Sequence, residues 1–524
     1  MKISRRDGIF YGVVGAVILG FCITALIVQK AYLWLDETEF TLQYMWRVNF
    51  FVMLWWLIES VYSMPIYYIV MWPWVNIVGI YNMPLLLLPG VIATGVGVFF
   101  VALTARKLAG DVCGIIAAVF CVFQSVFMRQ CALEIRPYAF LFMFSAIVLY
   151  LMIIRHEKRT RANGIALGIA VTCFIFSHWV ATFMVVVYGI FEVTRVLRTK
   201  RKATESILTP LADAVRPYMV AGAMLVVWTV TCYLVGLATF GSYWTKPVTW
   251  DTILRPFWAV FDVIVYRDTY RWTYQWQNIL FGTLFVAGLV VVCLWHDART
   301  RFVATTMLAA ILLVLVTSLV YISFWYERYF VFLLPHAYIL CALAVSQLPL
   351  PKFNRKNILG FGYRAVPWVA VVVTFCIVAI KNIDITHEYV ERPHEAESSY
   401  HLAHFLKYNM PSAIDNPNVL IVWRATPYMA DYYLDMLGIK LGATGLVYYI
   451  HQTDIMPASK IYKTASPLEW FYTSSFERMN MPPVYSNYDV LIIADYWWEL
   501  QSEYDGFERT SGNRLRNINV YTKV

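Results

Sequence analysis

Charged residues are scarce in this sequence. Asp, Glu, Lys and Arg together make up 14% of its 524 residues, whereas 60% are hydrophobic. A soluble chain of this length needs more charged surface to enclose its core, so the composition excludes an ordinary soluble protein. It is typical of a polytopic membrane protein.

The C-terminal part of the chain lacks cysteine. All nine cysteines fall in or beside apolar runs, and the last of them is Cys376. This distribution excludes a disulfide framework after that residue and predicts that the thiols are buried as small hydrophobes. Metal-ligand spacing is also lacking there. His401 and His404 stand three positions apart without a Glu or Cys companion, so we interpret them as surface histidines.

Long apolar runs are abundant instead, and they predict about eleven transmembrane helices. The first run is too long for the apolar core of a signal peptide and no small-residue cleavage site follows it, so we expect a retained anchor. The predicted crossings lie near residues 8–28, 85–104, 112–127, 138–153, 165–177, 180–193, 220–239, 280–295, 303–322, 329–346 and 365–380.

The distribution of Lys and Arg predicts the orientation. With a cytoplasmic N-terminus, the basic segments near residues 106–107, 155–161, 195–202, 299–301 and 352–364 all face the cytoplasm. The opposite connections hold roughly half as many Lys and Arg, as the positive-inside rule expects. The net charge of +9 is therefore explained by topology and needs no nucleic-acid partner.

This topology predicts a transmembrane domain over residues 1–382 and an extracytoplasmic α/β domain over 383–524. In the first outer loop, 30–84, the aromatic-rich segments 49–61 and 67–78 are typical of helices in the membrane interface. In the C-terminal domain, apolar runs at 419–422 and 490–494 predict buried strands. A helix is expected over 425–437 and a closing strand over 517–524.

Residues suited to chemistry collect on the predicted outer side. Asp36 and Glu37 adjoin the first span, and paired carboxylates at a membrane boundary are costly unless they are used. Other outer segments supply arginines, a lysine, a histidine and aromatic rings. Together these could provide a base, cations that bind phosphate, and surfaces that stack on a sugar. They are Glu134, Arg136, Tyr138, His178, Lys246, Arg328 and Tyr329.

Seven motifs in chain order resemble those of one enzyme class. They are Asp36-Glu37, Ser63-Met64-Pro65, Leu88-Pro89-Gly90, the basic Ala105–Gly110 stretch, Glu134-x-Arg136-x-Tyr138, His178-Trp179, and Arg328-Tyr329 followed by Pro335. In order and in common sidedness they resemble the GT-C integral-membrane glycosyltransferases, in the branch of the protein O-mannosyltransferases and the aminoarabinose transferases. One departure is that Ser63-Met64 stands where the family has a histidine, which puts a shared metal or acceptor contact in question. The Trp-Trp-Asp-Tyr-Gly motif of oligosaccharyltransferases is absent from the sequence.

The resemblance implies an inverting, mannosyltransferase-like enzyme. It would move a hexose or pentose from a polyprenyl-phosphate donor to a hydroxyl of a protein, lipid or glycan at the outer face of a membrane. A bacterial plasma (inner) membrane is the expected location, and the membrane of an endoplasmic reticulum stays open as the alternative. No cofactor is required by the resemblance, although a divalent cation stays open and no metal ligands are assigned.

The resemblance also implies roles for individual residues. Asp36 would be the general base, and Glu37 would orient the acceptor or the base. Arg136, with Arg328 or Lys246, would hold the donor phosphate, flanked by Glu134 and Tyr138, with Glu134 bracing the guanidinium. His178 and Tyr329 would contact the acceptor or the sugar.

Plainer interpretations of the same residues stay open. Glu134 and Arg136 could be an interfacial ion pair, His178 a polar residue of a tight turn, and Arg328 a cation that extends to the lipid headgroups. Asp36 and Glu37 could cap a helix. The whole chain could be a polar-lipid transporter or flippase, or a non-catalytic membrane scaffold. A transporter would favour charged residues within the spans and an internal repeat, whereas the predicted spans are nearly free of charged residues and no halves of the sequence repeat.

Overall fold

In a computed structural model the chain forms two compact units. One contains residues 1–29, 61–71 and 84–388, and the other contains 30–60, 72–83 and 389–524. The structure describes residues 5–28, 37, 41–59, 64–123, 128–200, 208–235, 248–249, 275–294, 297–320, 324–325, 327–346, 397–423, 433–440, 445–451, 454–457, 490–494, 507–513 and 518–523.

The first unit is helical. Its described helices lie where the sequence predicts ten of the crossings, and the eleventh, 365–380, lies outside the described residues. Two irregular helices interrupt them, a π-helix at Met128–Leu133 and a 3₁₀-helix at Glu327–Leu333. The α-helices are α1 Arg5–Val28, α4 Met83–Ala109, α5 Asp111–Phe123, α6 Tyr138–Glu157, α7 Arg161–Ile175, α8 Ala181–Lys200, α9 Leu208–Val235, α10 Gln275–Leu294, α11 Ala298–Val320 and α12 Leu334–Ser346.

Six stretches of these helices are long and apolar enough to cross a membrane. They are Arg6–Ile27, Met83–Ala109, Tyr138–Glu157, Leu208–Val235, Ala298–Val320 and Arg328–Ser346. Several helices of about 20 apolar residues in one chain make it an integral, multi-pass membrane protein. The prediction of about eleven crossings stays a prediction. Over the described residues α5, α7, α8 and α10 are too short or not apolar enough to be counted, and the predicted crossing 365–380 lies outside those residues.

Burial separates central from peripheral helices in this unit. In the most apolar part of the span that ends in α12, 89% of the residues are buried within the protein, whereas in that of α9 only 11% are. A helix that is apolar on all sides and buried on all sides belongs to the core, and one that leaves its apolar face uncovered is suited to contact lipid. Gly288 of α10 allows close packing on α12, because a Cβ there would lie 2.1 Å from the Leu340 carbonyl oxygen.

The helix ends form two groups, one at each end of the helical unit. Arg6 of α1 pairs with Asp111 of α5, and Lys107 of α4 pairs with Glu157 of α6. We call the end that contains these two ion pairs the first end. The tight reversal from α4 to α5 passes through Gly110 at φ +88, a left-handed conformation that glycine adopts without steric cost. The opposite end, where α6 begins and α7 turns into α8, is called the second end.

The second unit combines short helices with a six-stranded sheet. Its longer helices are α2 Phe50–Glu59 and α13 Glu397–Tyr408, together with the second half of α3 Pro65–Val78, residues 72–78. Single short turns lie at Gln43–Met45 and Pro411–Ala413. The two aromatic-rich segments of the first outer loop are thus helical, as predicted. Hydrogen bonds join them to their surroundings, from Trp72 Nε1 to the Val48 carbonyl at 2.8 Å and from the Tyr81 hydroxyl to Asp435 at 3.2 Å. The predicted division into residues 1–382 and 383–524 stays a prediction. The compact units divide the first outer loop, with residues 30–60 and 72–83 in the second unit.

The sheet is mixed, with strand order β3-β2-β1-β4-β6-β5. β1 is parallel to both β2 and β4, and the other pairs are antiparallel. Strands occupy the three segments where the sequence predicts them, and residues 433–437 of the helix expected over 425–437 are helical. The strands are β1 Val419–Trp423, β2 Gly445–His451, β3 Asp454–Pro457, β4 Val490–Ala494, β5 Phe507–Asn513 and β6 Ile518–Lys523.

Candidate active site

Three aromatic rings from distant parts of the sequence meet at the second end. The imidazole of His178 lies between two tyrosines. Its centroid is 5.7 Å from that of Tyr138, with the planes 28° apart, and 5.1 Å from that of Tyr329, with the planes 56° apart. Ring pairs at these separations attract each other. The fold therefore brings together three residues that the sequence nominates from three separate motifs.

The local structure around each of these residues positions its ring. Tyr138 opens α6 directly after Pro137, whose fixed φ suits the start of a helix, and the Pro137 carbonyl accepts from Leu141 N at 2.9 Å. His178 stands in the turn between α7 and α8, where its carbonyl accepts from Ala181 N at 3.0 Å. Tyr329 lies in the 3₁₀-helix that leads into α12.

The turn also fixes the tautomer of His178. The Val180 amide donates to Nδ1 over 3.4 Å, so that nitrogen carries the lone pair and the proton of the neutral ring is on Nε2. Loss of hydration lowers the pKa of His178, and the neighbouring cation Arg136 lowers it further, to about 3. At neutral pH the His178 ring is therefore uncharged. It can still donate a hydrogen bond, through the proton on Nε2.

Arg136 stands next to this aromatic group. Its guanidinium carbon is 5.9 Å from the centroid of the Tyr138 ring, within the range of a cation–π contact. The side chain is half-buried, as are Arg328 and Tyr329. A planar cation beside uncharged rings is suited to an oxyanion such as a phosphate, which can accept two parallel hydrogen bonds from the guanidinium.

Glu134 does not brace Arg136 in the way the motif suggests. Among the described residues no hydrogen bond or ion pair joins the two side chains, and Glu134 Oε2 is buried without a hydrogen-bond partner. Glu134 directly follows the π-helix at Met128–Leu133, and its side chain is buried, at 5% exposure. A buried carboxylate with an unsatisfied oxygen is costly in an apolar site, and such groups concentrate where a ligand binds.

Side-chain hydrogen bonds hold both irregular helices in place. Thr94 Oγ1 of α4 donates to the Cys131 carbonyl at 2.7 Å, and Ser145 Oγ of α6 donates to the Phe332 carbonyl at 2.6 Å. π-helical and 3₁₀ turns inside longer helices often mark functional sites. Here one precedes Glu134 and the other carries Arg328 and Tyr329. Simple helical periodicity does not reveal either of them.

The remaining nominated residues are not all placed. Asp36 and Lys246 lie outside the described residues. Glu37 is fully buried and belongs to the second unit. Over the described part of the chain, no group of three or more His, Cys, Asp or Glu side chains could hold a metal ion.

The sequence reasoning missed two polar contacts in the helical unit. The Tyr188 hydroxyl of α8 lies 2.9 Å from His336 Nε2 of α12, and both side chains are fully buried. At the first end, Glu192 binds three basic side chains. A polar or charged residue inside an apolar run could have indicated both contacts. Such a residue in a membrane-spanning segment is almost always paired with another polar group.

Known structures share this fold. ArnT from Cupriavidus metallidurans, an aminoarabinose transferase, superposes in its apo state with a TM-score of 0.56, at 13% identity over 98% of both chains. The same protein bound to undecaprenyl phosphate superposes with a TM-score of 0.52, at 12% identity over 99% of both chains. Neither a protein-family model nor the sequence of a curated protein matches the chain. The fold is that of the GT-C glycosyltransferases, as the sequence motifs predict.

Proposed function

We propose that this protein is an inverting glycosyltransferase. It moves one sugar from a polyprenyl-phosphate donor to an acceptor hydroxyl, at the membrane face where its second end lies. The observation that carries the proposal is the convergence of Arg136, Tyr138, His178 and Tyr329 at one place. The GT-C fold supports it, because one structure with that fold holds undecaprenyl phosphate.

The reaction is a single displacement. Asp36 takes the proton of the acceptor hydroxyl while its oxygen attacks the anomeric carbon of the sugar. The bond between that carbon and the phosphate oxygen breaks, and polyprenyl phosphate leaves with the bonding electrons. The new bond forms on the face opposite the leaving group, so the anomeric configuration inverts. Glu37 orients the acceptor or Asp36.

Arg136 provides the charge that this leaving group needs. Negative charge grows on the phosphate as the bond breaks, and a guanidinium that is already in position stabilises it without reorganising. Arg328 or Lys246 completes the phosphate contact. A divalent cation remains an alternative source of positive charge.

The aromatic group provides a surface for the sugar. Tyrosine rings pack against the apolar face of a pyranose or furanose, and the Nε2–H of His178 can donate to a sugar or acceptor oxygen. Because His178 remains neutral, it adds a directional donor without adding charge. The buried carboxylate oxygen of Glu134 can accept from a ligand hydroxyl.

The decisive experiment follows radiolabelled sugar from a synthetic polyprenyl-phosphate donor in membranes that contain the full chain. Asp36→Asn keeps the shape but cannot accept a proton, so turnover should fall about 100-fold or more while donor binding changes little. Matched membranes with Asp297→Asn, a carboxylate at the first end that pairs with Arg299 at 3.2 Å, serve as the control. Near-normal turnover in a folded Asp36→Asn protein would reject Asp36 as the base.

The orientation of the chain is part of the proposal. We place the N-terminus in the cytoplasm of a bacterium and the second end with the C-terminal domain outside the plasma membrane. A cysteine introduced at Ser398 should react with an impermeant thiol reagent in intact cells, and one at Thr204 should not, each measured against the unsubstituted chain. The reverse pattern would invert the topology and move the reaction to the other face.

A further inference from the structure

A tyrosine and a histidine form a polar contact among the apolar helices of the first unit. The Tyr188 hydroxyl of α8 lies 2.9 Å from His336 Nε2 of α12, and both side chains are fully buried. Among the described residues, the other ring nitrogen of His336 has no hydrogen-bond partner. Polar groups inside membrane spans are costly and mark functional features. The contact is therefore expected to do more than fill space.

The two residues lie at a similar depth behind the candidate active site. Tyr188 is seven residues past Ala181, the first residue of α8, which follows the His178 turn. His336 is seven residues past Tyr329. Seven residues are two helical turns, or about 10 Å. The hydrogen bond thus ties the segment that carries one ring to the segment that carries the other.

This hydrogen bond links two helices whose main neighbours differ. α8 packs mainly against α9 and α11, whereas α12 packs mainly against α10 and α5. Tyr188 stacks on Phe302 of α11, with ring centroids 5.6 Å apart and planes 24° apart. Phe302 thereby fixes the direction of the tyrosine ring, and the hydroxyl at its tip meets His336.

At the site itself the same two segments meet through rings. His178 contacts Tyr329 with centroids 5.1 Å apart, and Phe183 of α8 contacts Phe324 at 5.4 Å. Ring pairs attract each other over separations of about 4.5 to 7 Å, whereas a hydrogen bond weakens beyond about 3.2 Å. The hydrogen bond behind the site therefore fixes the spacing of the two segments more narrowly than the ring contacts do.

A second hydrogen bond acts on the third ring in the same way. Ser145 of α6 is seven residues past Tyr138, and its side chain is fully buried. Its hydroxyl donates at 2.6 Å to the carbonyl of Phe332, in the 3₁₀-helix that carries Tyr329. Phe332 lies four residues before His336, so both hydrogen bonds hold the same stretch of chain.

We propose that Tyr188 and His336 are positioning residues for the reaction. Their hydrogen bond sets the distance between His178 and Tyr329, and with it the geometry in which these two contact the sugar or the acceptor. The catalytic consequence rests on the proposed function, whereas the effect on the spacing does not. A misplacement of about 1 Å caused far from the chemistry can cost about 100-fold in rate.

The spacing is tested first, without any measurement of activity. The purified full chain in dodecyl maltoside carries isotope-labelled histidine, and the ring-proton NMR signal of His178 is the one that His178→Gln removes. The neighbouring aromatic rings shift this signal, so it reports their distance. Tyr188→Phe removes one hydroxyl and should move or broaden the signal more than Tyr218→Phe does. This matched control lies on α9, which carries none of the three rings, and its hydroxyl contacts Met152 Sδ at 3.1 Å.

The kinetic test uses the radiolabelled donor. In Tyr188→Phe the turnover should fall about tenfold, while the apparent KM for the donor stays within about twofold because Arg136 still holds the phosphate. Tyr218→Phe should leave both values unchanged. A general loss of stability would lower the yield of folded protein, but it would not separate turnover from KM in the folded molecules.

Replacements of His336 give a second comparison, which also serves if Tyr188→Phe does not fold. The amide of Gln takes the place of Nε2, and that of Asn takes the place of Nδ1. His336→Gln should therefore retain most of the turnover, and His336→Asn should not. The double variant Tyr188→Phe/His336→Asn should be no slower than either single variant, since both changes remove the same contact.

The outcomes separate this proposal from the proposed function. An unsubstituted chain that transfers no sugar would reject the proposed function, and the His178 signal would still decide the spacing. A signal that moves no more in Tyr188→Phe than in Tyr218→Phe would overturn the effect on spacing. Normal turnover of Tyr188→Phe, where the unsubstituted chain is active, would overturn the positioning role.

Discussion

The two ends of the helical unit are built from different interactions. The first end is held by ion pairs such as Lys107–Glu157 and Arg159–Glu192, at 2.8 and 2.5 Å. The second end gathers stacked rings and a guanidinium around His178. Ion pairs satisfy one another and leave little for a ligand, whereas neutral rings beside a cation are suited to bind one. We infer that the first end mainly stabilises the unit and the second end carries the chemistry.

The largest effect is expected at Glu192. Replacing it by Gln removes a fully buried charge and leaves two arginines side by side without their shared acid, so the unit should lose about 3 kcal/mol of stability. Thermal unfolding in detergent measures the loss. Turnover per folded molecule should stay within about twofold, because the change is made at the first end.

Glu157→Gln is the matched control for that prediction. Glu157 also binds two cations, but its side chain is 31% exposed. Solvent screening should limit its loss to less than about 1 kcal/mol. Equal losses for Glu157 and Glu192 would mean that burial does not distinguish the two acids.

At the second end, Arg136→Lys should reduce activity and leave stability almost unchanged, the opposite of what is expected for Glu192→Gln. Lysine keeps the charge but not the planar fork, so the apparent KM for the donor should rise and turnover fall, together by about tenfold or more. The Tm should change little. Arg216→Lys, at a side chain that is 77% exposed at the first end, is the control and should be silent. A kinetically silent Arg136→Lys would make Arg328 the better phosphate ligand.

The sequence predicts a large part of this arrangement. Apolar runs locate the helices, and α6 begins at the predicted Tyr138. Because successive spans alternate in direction, Tyr138, His178 and Tyr329 were expected on one side, and their rings do meet. The apolar runs and the distribution of Lys and Arg were therefore enough to predict that these three residues lie at the same end of the helices.

The sequence does not predict the details that depend on tertiary structure. The residues of the sequence do not announce the π-helix that precedes Glu134 or the burial of Glu134. The partner of His336 is Tyr188, almost 150 positions away in the chain. The ion pairs of Glu192 in α8 likewise reach His156 of α6 and Arg159 of the segment that connects α6 to α7. Sequence motifs give the order of the residue types along the chain. Which side chains contact each other becomes known only from the packing of the helices.

A pH effect should test whether His178 stays neutral in the folded protein. His178 has a lowered pKa, about 3, so below about pH 6.5 the unfolded chain binds a proton that the folded one does not. Stability should therefore fall as the pH drops, by about 1 kcal/mol between pH 6.5 and 5 after allowance for solvent screening.

The measurement compares the unsubstituted protein with His178→Gln by thermal unfolding at each pH. The variant should lose this part of the pH dependence. Donor turnover in the unsubstituted protein should show no separate acid limb from His178 between pH 5 and 8, since the ring is neutral throughout. Parallel stability curves for the two proteins would show that His178 titrates normally.

The smallest effect is expected for Lys107→Gln at the first end. Lys107 is 41% exposed, and its partner Glu157 also binds Arg299 at 2.8 Å, so the acid keeps a cation after the change. Exposed pairs contribute about 0 to 1 kcal/mol, which thermal unfolding at low and high salt can resolve. The loss should be visible at 20 mM NaCl and vanish at 0.5 M, because salt screens an exposed pair. A loss above about 2 kcal/mol that persists in salt would mean that Lys107 is as critical as Glu192. The distinction at the first end between the exposed ion pairs of Glu157 and the buried ion pairs of Glu192 would then be wrong.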